Sequence, residues 1–245
     1  MKINKQNSNI KKTYVFNRFI VGNSNRFAFE CARVVAKYPG NKFNPLFICG
    51  GVDVGKTYLM HAIGNELKCN FPKFKILYVT SEKFTYDFIE AIKTNTVSKF
   101  TNKYRNIDCL LIDDIQFLAG KHNSQEEFYN LFNTLKDSDK QIVITSDRPQ
   151  NNLEIEEKLI SRFKWGNTVD IQPPDLETRI AILKQKANDE NIVISEDIVI
   201  HIAKRINNIR ELEGTLLRLT AFFKFNNISF TLDEVKKIFK DIIID

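Results

Sequence analysis

Residues 50–59 read GGVDVGKTYL, a glycine-rich run that closes on Gly-Lys-Thr. Gly50, Gly55, Lys56 and Thr57 match the spacing G-x-x-x-x-G-K-[ST], in which a backbone with little side-chain bulk can wrap a polyphosphate. Gly50, Gly51, Val52, Asp53, Val54, Gly55, Lys56, Thr57 and Tyr58 are therefore candidates for holding a nucleotide. Their N–H groups, with the N-terminus of the following helix, would face the phosphates. Lys56 would reach the β and γ oxygens, and the Thr57 hydroxyl would ligate Mg²⁺. Asp53 is the anomaly, because a carboxylate inside an anion-binding loop works against it. A second acidic feature lies in CLLIDDI, residues 109–115, where an apolar strand ends in Asp113 and Asp114. Asp113 would hold the Mg²⁺ and its waters, and Asp114 is placed to orient or deprotonate an attacking water.

Such groups must be carried to one edge of a sheet. Short apolar runs at 45–50, 74–80, 108–115, 141–147 and 168–172 alternate with amphipathic stretches at 56–68, 81–95 and 124–138, the pattern of a parallel sheet wrapped by helices. Ser124 followed by Glu127 predicts a capping box for the last of these. Pro173-Pro174 ends the alternation. Beyond it only helices are expected, at 175–190, 196–206, 209–225 and 232–243, the last capped by Thr231 with Glu234. The expected organisation is a tail (1–13), an α/β nucleotide-binding domain (14–174) and a small all-helical lid (175–245).

Composition narrows the partners. The chain has 245 residues and a formal net charge of +6. That charge suits nucleic acid, and the heavy use of Lys, Asn and Ile throughout accounts for it equally without one. Four cysteines in no CxxC pair and three scattered histidines give no zinc site and fit a reducing compartment. No apolar run approaches the roughly 20 residues of a membrane span, and MKINKQNSNIKK has no apolar signal core. A cytoplasmic protein is expected.

YVFNRFIVG, NPLFICGGVDVGKTYLMHAIGN, NKYRNIDCLLIDDIQFLAGK, QEEFYNLFNTL, QIVITSDRPQ, SRFKWG, DIQPPDLETRIAIL and NIRELEGTLLRL follow one another in order from Tyr14 onward. This series resembles the ATPase region of the DnaA family of AAA+ proteins. The resemblance implies ATP with Mg²⁺ as ligand and a phosphate-loop fold of parallel sheet and helices followed by a lid. It also implies that Phe19, Ile20, Val21 and Gly22 pack around the adenine and that Asp147 senses the γ-phosphate. Arg210 in RELEG would be a second sensor in the same subunit, and Arg162 in SRFKWG an arginine finger reaching the ATP of a neighbouring copy. The helices at 81–105 match an insertion that grips single-stranded DNA, with Ile89, Lys103, Arg105 and Lys121 at suitable positions. A stripe such as Phe84, Phe88 and Ile92 reads as core.

Three departures qualify the likeness. The family's loop has glycine where Asp53 stands, although the loop of translational GTPases, which Asp53 also resembles, binds nucleotide with an aspartate there. No N-K-x-D guanine motif accompanies it. Asn123 stands where the family often has arginine. The family's helicase-contacting domain and its box-reading helix-turn-helix do not fall within residues 1–245, so little discrimination among duplex sequences is expected. The leading reading is an ATP-switched replication initiator that oligomerises at an origin, helps open it and hydrolyses ATP slowly, with helicase or regulatory proteins as further partners. The alternatives are an ADP-binding AAA+ regulator acting through protein contacts and a phosphate-loop kinase.

Overall fold

The structure, a computed structural model, describes residues 9–226 and 228–242. By contacts it divides into two compact units. One comprises the chain up to Phe19 together with Arg26–Ile171; the other comprises Ile20–Asn25 and the chain from Gln172 on.

In the first unit, five short strands pair in parallel: β1 (Leu46–Gly50), β2 (Ile76–Thr80), β3 (Cys109–Asp113), β4 (Gln141–Ser146) and β5 (Asn167–Ile171), in the spatial order β2-β3-β4-β1-β5. Every residue of β1, β3 and β4 is buried, as a sheet covered on both faces demands. The side-chain period of two splits the strands between two cores. Phe47, Leu110, Ile112, Ile142 and Ile144 join one cluster, and Leu46, Ile48, Leu111, Val143 and Val169 the other.

The first cluster is completed by α3 (Ser81–Lys93), α4 (Val97–Arg105), α5 (His122–Asp137) and α6 (Glu157–Phe163); the second by α1 (Arg26–Lys37) and α2 (Lys56–Asn70). The sequence reading assigned no helix to 26–37. Ala28, Cys31, Ala32 and Val35 recur at helical spacing there, and all four are buried. Phe84 is fully buried and Phe88 packs against the core, whereas Ile92 is exposed, so the expected core stripe holds for two of its three members.

Local chemistry trims the expected boundaries. β3 stops at Asp113 because Asp114 turns left-handed (φ 57°) into the 3₁₀ turn Ile115–Leu118. The capping box at Ser124 is not formed. α5 begins earlier, at His122, and Ser124 lies buried within it. Gln125 there donates to the Leu118 carbonyl (2.9 Å) and accepts from the Glu156 N–H (2.8 Å).

The second unit is all-helical: α7 (Leu176–Asp189), α8 (Glu196–Arg205), α9 (Ile209–Asn226) and α10 (Leu232–Ile242), around a core of Leu183, Ile198, Ile202, Leu212, Leu216 and Leu219. Asp175 caps α7 by accepting from the Thr178 N–H at 2.8 Å. Thr231 caps α10 as expected, accepting from the Glu234 N–H at 3.5 Å. No helix among the described residues is long and apolar enough to cross a membrane.

Candidate nucleotide site

The carboxyl edge of the parallel sheet collects the chemistry. β1 ends at Gly50 (φ 150°), and the loop turns through Asp53 (φ 58°) and Gly55 (φ 102°) before α2 begins at Lys56. A Cβ on Gly50 would lie 2.3 Å from the Ile171 carbonyl, so only glycine fits there. Asp53 occupies a left-handed conformation that glycine adopts freely and aspartate tolerates better than most residues. Val54 is buried, while Gly51 and Val52 are exposed. Tyr58 stacks on Tyr14 at 4.3 Å and packs against Phe19, whose ring also faces Gly55.

Lys56 is 7% exposed and donates to the carbonyls of Gly50 (2.9 Å) and Gly51 (2.5 Å). Burial lowers its pKa, opposed by the carboxylates of Asp114, Asp113, Asp147 and Asp53. The Asp113 carboxylate is 2% exposed and accepts from three hydroxyls: Thr57 (2.9 Å), Tyr78 (2.9 Å) and Thr145. The Thr145 hydroxyl also accepts from the Asp114 N–H at 2.9 Å, so one β4 side chain fixes both acids. Burial raises the Tyr78 pKa, and Asp113 raises it further, leaving a neutral phenol as a committed donor.

Asp114 lies just beyond the strand, and its carboxyl is pushed up by burial first and by Asp113 second. Gln116 joins it to Asp147, donating to Asp114 (3.3 Å) and accepting from the Asp147 N–H (3.3 Å). Asp147 follows β4 and is gripped by both Nε and Nη2 of Arg148 at 2.8 Å, which lowers its pKa.

Arg162 is not part of this cluster. Its partners are Asn133 and Tyr129 on α5 and the Trp165 ring in the turn just after α6. In the helical unit, a Cβ on Gly22 would meet Thr178 Oγ1 at 2.1 Å, and Asn25 ties Gly22 to Ile20. Val21 is exposed. Arg210 opens α9 in a surface recess with Asn208, Glu211, Gly214 and Arg218.

Of the four candidates for single-stranded DNA, Ile89 is exposed on α3, Arg105 ends α4 exposed, and Lys121 precedes α5. Lys103 is held by Asp87 at 2.5 Å, a carboxylate that also takes Lys83 (2.7 Å) and the Tyr104 hydroxyl (3.0 Å). Part of its charge is therefore spent in bracing α3 against α4.

Sequence reasoning missed Tyr78, Thr145, Gln116 and Ser81. Tyr78 and Thr145 are polar residues within otherwise apolar strands, and that was their available signal. Ser81 donates to the Asp114 carbonyl at 2.5 Å, a contact invisible without the strand order.

A fully parallel sheet with a phosphate loop after one strand and a buried acid at the end of another, bonded to the loop threonine, defines a phosphate-loop nucleoside triphosphatase domain of the AAA+ type. The family model for the bacterial DnaA ATPase domain matches residues 10–170. The chromosomal replication initiator protein DnaA of Caldanaerobacter subterraneus subsp. tengcongensis is 51% identical over 238 residues, covering 96% of this chain and 54% of that protein. Domain III of Thermotoga maritima DnaA superposes with a TM-score of 0.91 at 40% identity, covering 96% of this chain and 99% of that one. A DnaA structure bound to AMPPCP and single-stranded DNA gives 0.80 at 34% identity, over 89% of this chain and 69% of that one. The chain belongs to the DnaA family of bacterial replication initiators, and it spans about half the length of the curated relative it matches.

Proposed function

We propose that this chain binds ATP with Mg²⁺, associates in the ATP form with further copies of itself, and holds single-stranded DNA along α3 and α4 during origin opening. The observation that carries the reading is the Thr57–Asp113 hydrogen bond at 2.9 Å beside the lysine-closed loop. The Thr57 hydroxyl gives its proton to Asp113, which leaves its lone pairs for a hard cation.

The donor set fits Mg²⁺. It consists of oxygens only, and no group of three or more His, Cys, Asp or Glu able to hold a metal occurs among the described residues. Thr57 and Asp113 would hold the ion jointly with the phosphates, as suits a cation that keeps several non-protein ligands. It would neutralise charge on the β- and γ-phosphoryl oxygens.

The chain's own residues supply the rest of the proposed chemistry. Lys56 moves from loop carbonyls to phosphate oxygens, and Asp114, with its raised pKa, orients and accepts a proton from the attacking water. Arg162 acts on the nucleotide of a second copy. In this reading hydrolysis is slow and ATP serves mainly as an assembly signal. Phe19, Ile20, Val21 and Gly22 belong with the adenine, and Asp147 and Arg210 with the sensing of phosphate. The domain division at 174/175 and a cytoplasmic location accompany this reading.

The test is fluorescence anisotropy of a labelled single strand, a labelled origin-box duplex and a scrambled duplex, with ATP or ADP, at two salt concentrations. Expected are tighter single-strand binding with ATP, steep weakening with salt and less than about tenfold preference for the box, or ~1.4 kcal/mol. Equal affinity with ATP and ADP refutes the switch.

A further inference from the structure

Arg162 is an arginine that the fold holds still. Its Nε–H donates to Asn133 Oδ1 at 2.8 Å and Nη2 donates to the Tyr129 hydroxyl at 2.7 Å. Its guanidinium lies 4.0 Å from the Trp165 ring centroid and 5.1 Å from that of Tyr129. A surface arginine ordinarily keeps its rotamer freedom, of order 2 kcal/mol, and tends to pair with a carboxylate. Here no carboxylate pairs with it among the described residues, and its partners Asn133, Tyr129 and Trp165 are neutral.

Two of the five N–H donors that a guanidinium carries are used on neutral acceptors, so three remain in a fixed orientation with the charge undiminished. Trp165, the only tryptophan in the chain, is 54% exposed although its ring lies on this cation. A large aromatic held open in this way is costly to leave in water, and aromatic and arginine side chains are the types enriched where interfaces form.

We infer that Tyr129, Asn133 and Trp165 form a clamp that presets Arg162 for the phosphates of a nucleotide held by a second copy of this chain, and that Trp165 itself is buried by that copy. This rests on the reading of Arg162 given above and adds the residues that make it effective. Trp165 is a positioning residue: it fixes the plane of the guanidinium, so that ordering entropy is not lost when the second copy arrives.

Light scattering at saturating ATP, as a function of protein concentration, tests the clamp in the parent, Arg162→Ala, Trp165→Ala and Trp165→Phe. Trp165→Ala raises the concentration at half assembly about tenfold, within the range expected for a cation–π contact that becomes desolvated, and Trp165→Phe restores most of the loss. Tryptophan emission of the parent shifts in step with scattering when ATP is added, reverses on dilution and stays unchanged with ADP. Parent-like assembly of Arg162→Ala overturns the underlying reading. Loss of assembly in Arg162→Ala with parent-like assembly in Trp165→Ala overturns the clamp alone. Assembly without an emission change overturns burial of Trp165.

Discussion

Replacing His61 with phenylalanine should flatten the acid side of the stability profile. His61 lies on α2, 1% exposed, with its ring 4.2 Å from Tyr78 and 5.6 Å from Tyr14, and its Nδ1 has no partner among the described residues. Burial lowers its pKa from 6.5 to about 4, with Asp113 opposing the shift and Lys11 adding to it. The sign follows from which state takes the proton first. Above the unfolded value both states are neutral and no stability depends on this residue; as pH falls from 6.5 towards 4 the unfolded chain binds a proton that the folded chain refuses. Stability is therefore lost across that window and levels off below it. At pH 5 the loss is about 2 kcal/mol and in full about 3 kcal/mol, from 1.36 kcal/mol per unit. Phenylalanine keeps the ring between the two tyrosines and binds no proton. It also removes a buried nitrogen without a partner, worth up to ~1–3 kcal/mol, so the variant should be at least as stable at pH 7.5. Urea unfolding of parent and His61→Phe at pH 7.5, 6.5, 5.5 and 5 reads the difference directly, since every other titrating group is shared. Parallel profiles for the two proteins refute the assignment.

The remaining predictions concern the nucleotide. Lys56→Ala should weaken ATP binding by at least about 100-fold, ~2.7 kcal/mol, in calorimetry; equal affinity would remove Lys56 from the site. Asp53→Gly should bind ATP at least as tightly as the parent and unfold at the same or higher urea concentration, because it removes a negative charge and relieves a left-handed L-residue worth ~1–2 kcal/mol, partly offset by glycine's unfolded-state entropy. Markedly weaker binding would show that the carboxylate contributes. Tyr78→Phe removes one of the three donors that aim Asp113 and should raise the Mg²⁺ concentration at half-maximal hydrolysis by about tenfold or more; an unchanged Mg²⁺ dependence would make the phenol a packing group.

The sheet and the appended helices were legible because each buried strand is a short apolar run and each helix carries its own period. The phosphate loop was legible from glycine spacing alone. What stayed hidden depended on distant partners. Thr145 and Tyr78 are ordinary strand residues until the order β2-β3-β4 sets them on either side of Asp113. Ser124 looked like a cap because a local signal said so, but the chain turned helical earlier, where Gln125 could span Leu118 and Glu156. Lys103 looked available for phosphates until folding of α3 against α4 brought Asp87 to it. Helix 26–37 escaped notice because its buried face is built from alanines and a cysteine, which mark a core less loudly than leucines do.

Thr80 ends β2 level with Asp113 on β3, and the very next residue, Ser81, both begins α3 and is bonded to the Asp114 carbonyl. No slack separates the acid from the helix. α3 is 13 residues long, about 20 Å of rigid rod. A displacement of Asp114 too small to break any hydrogen bond, tilting that rod by about 5°, would swing its far end by roughly 2 Å. In geometric terms the fold gears a sub-ångström movement at Asp114 to a stroke of about 1 Å at Ile89 and more at the end of α3.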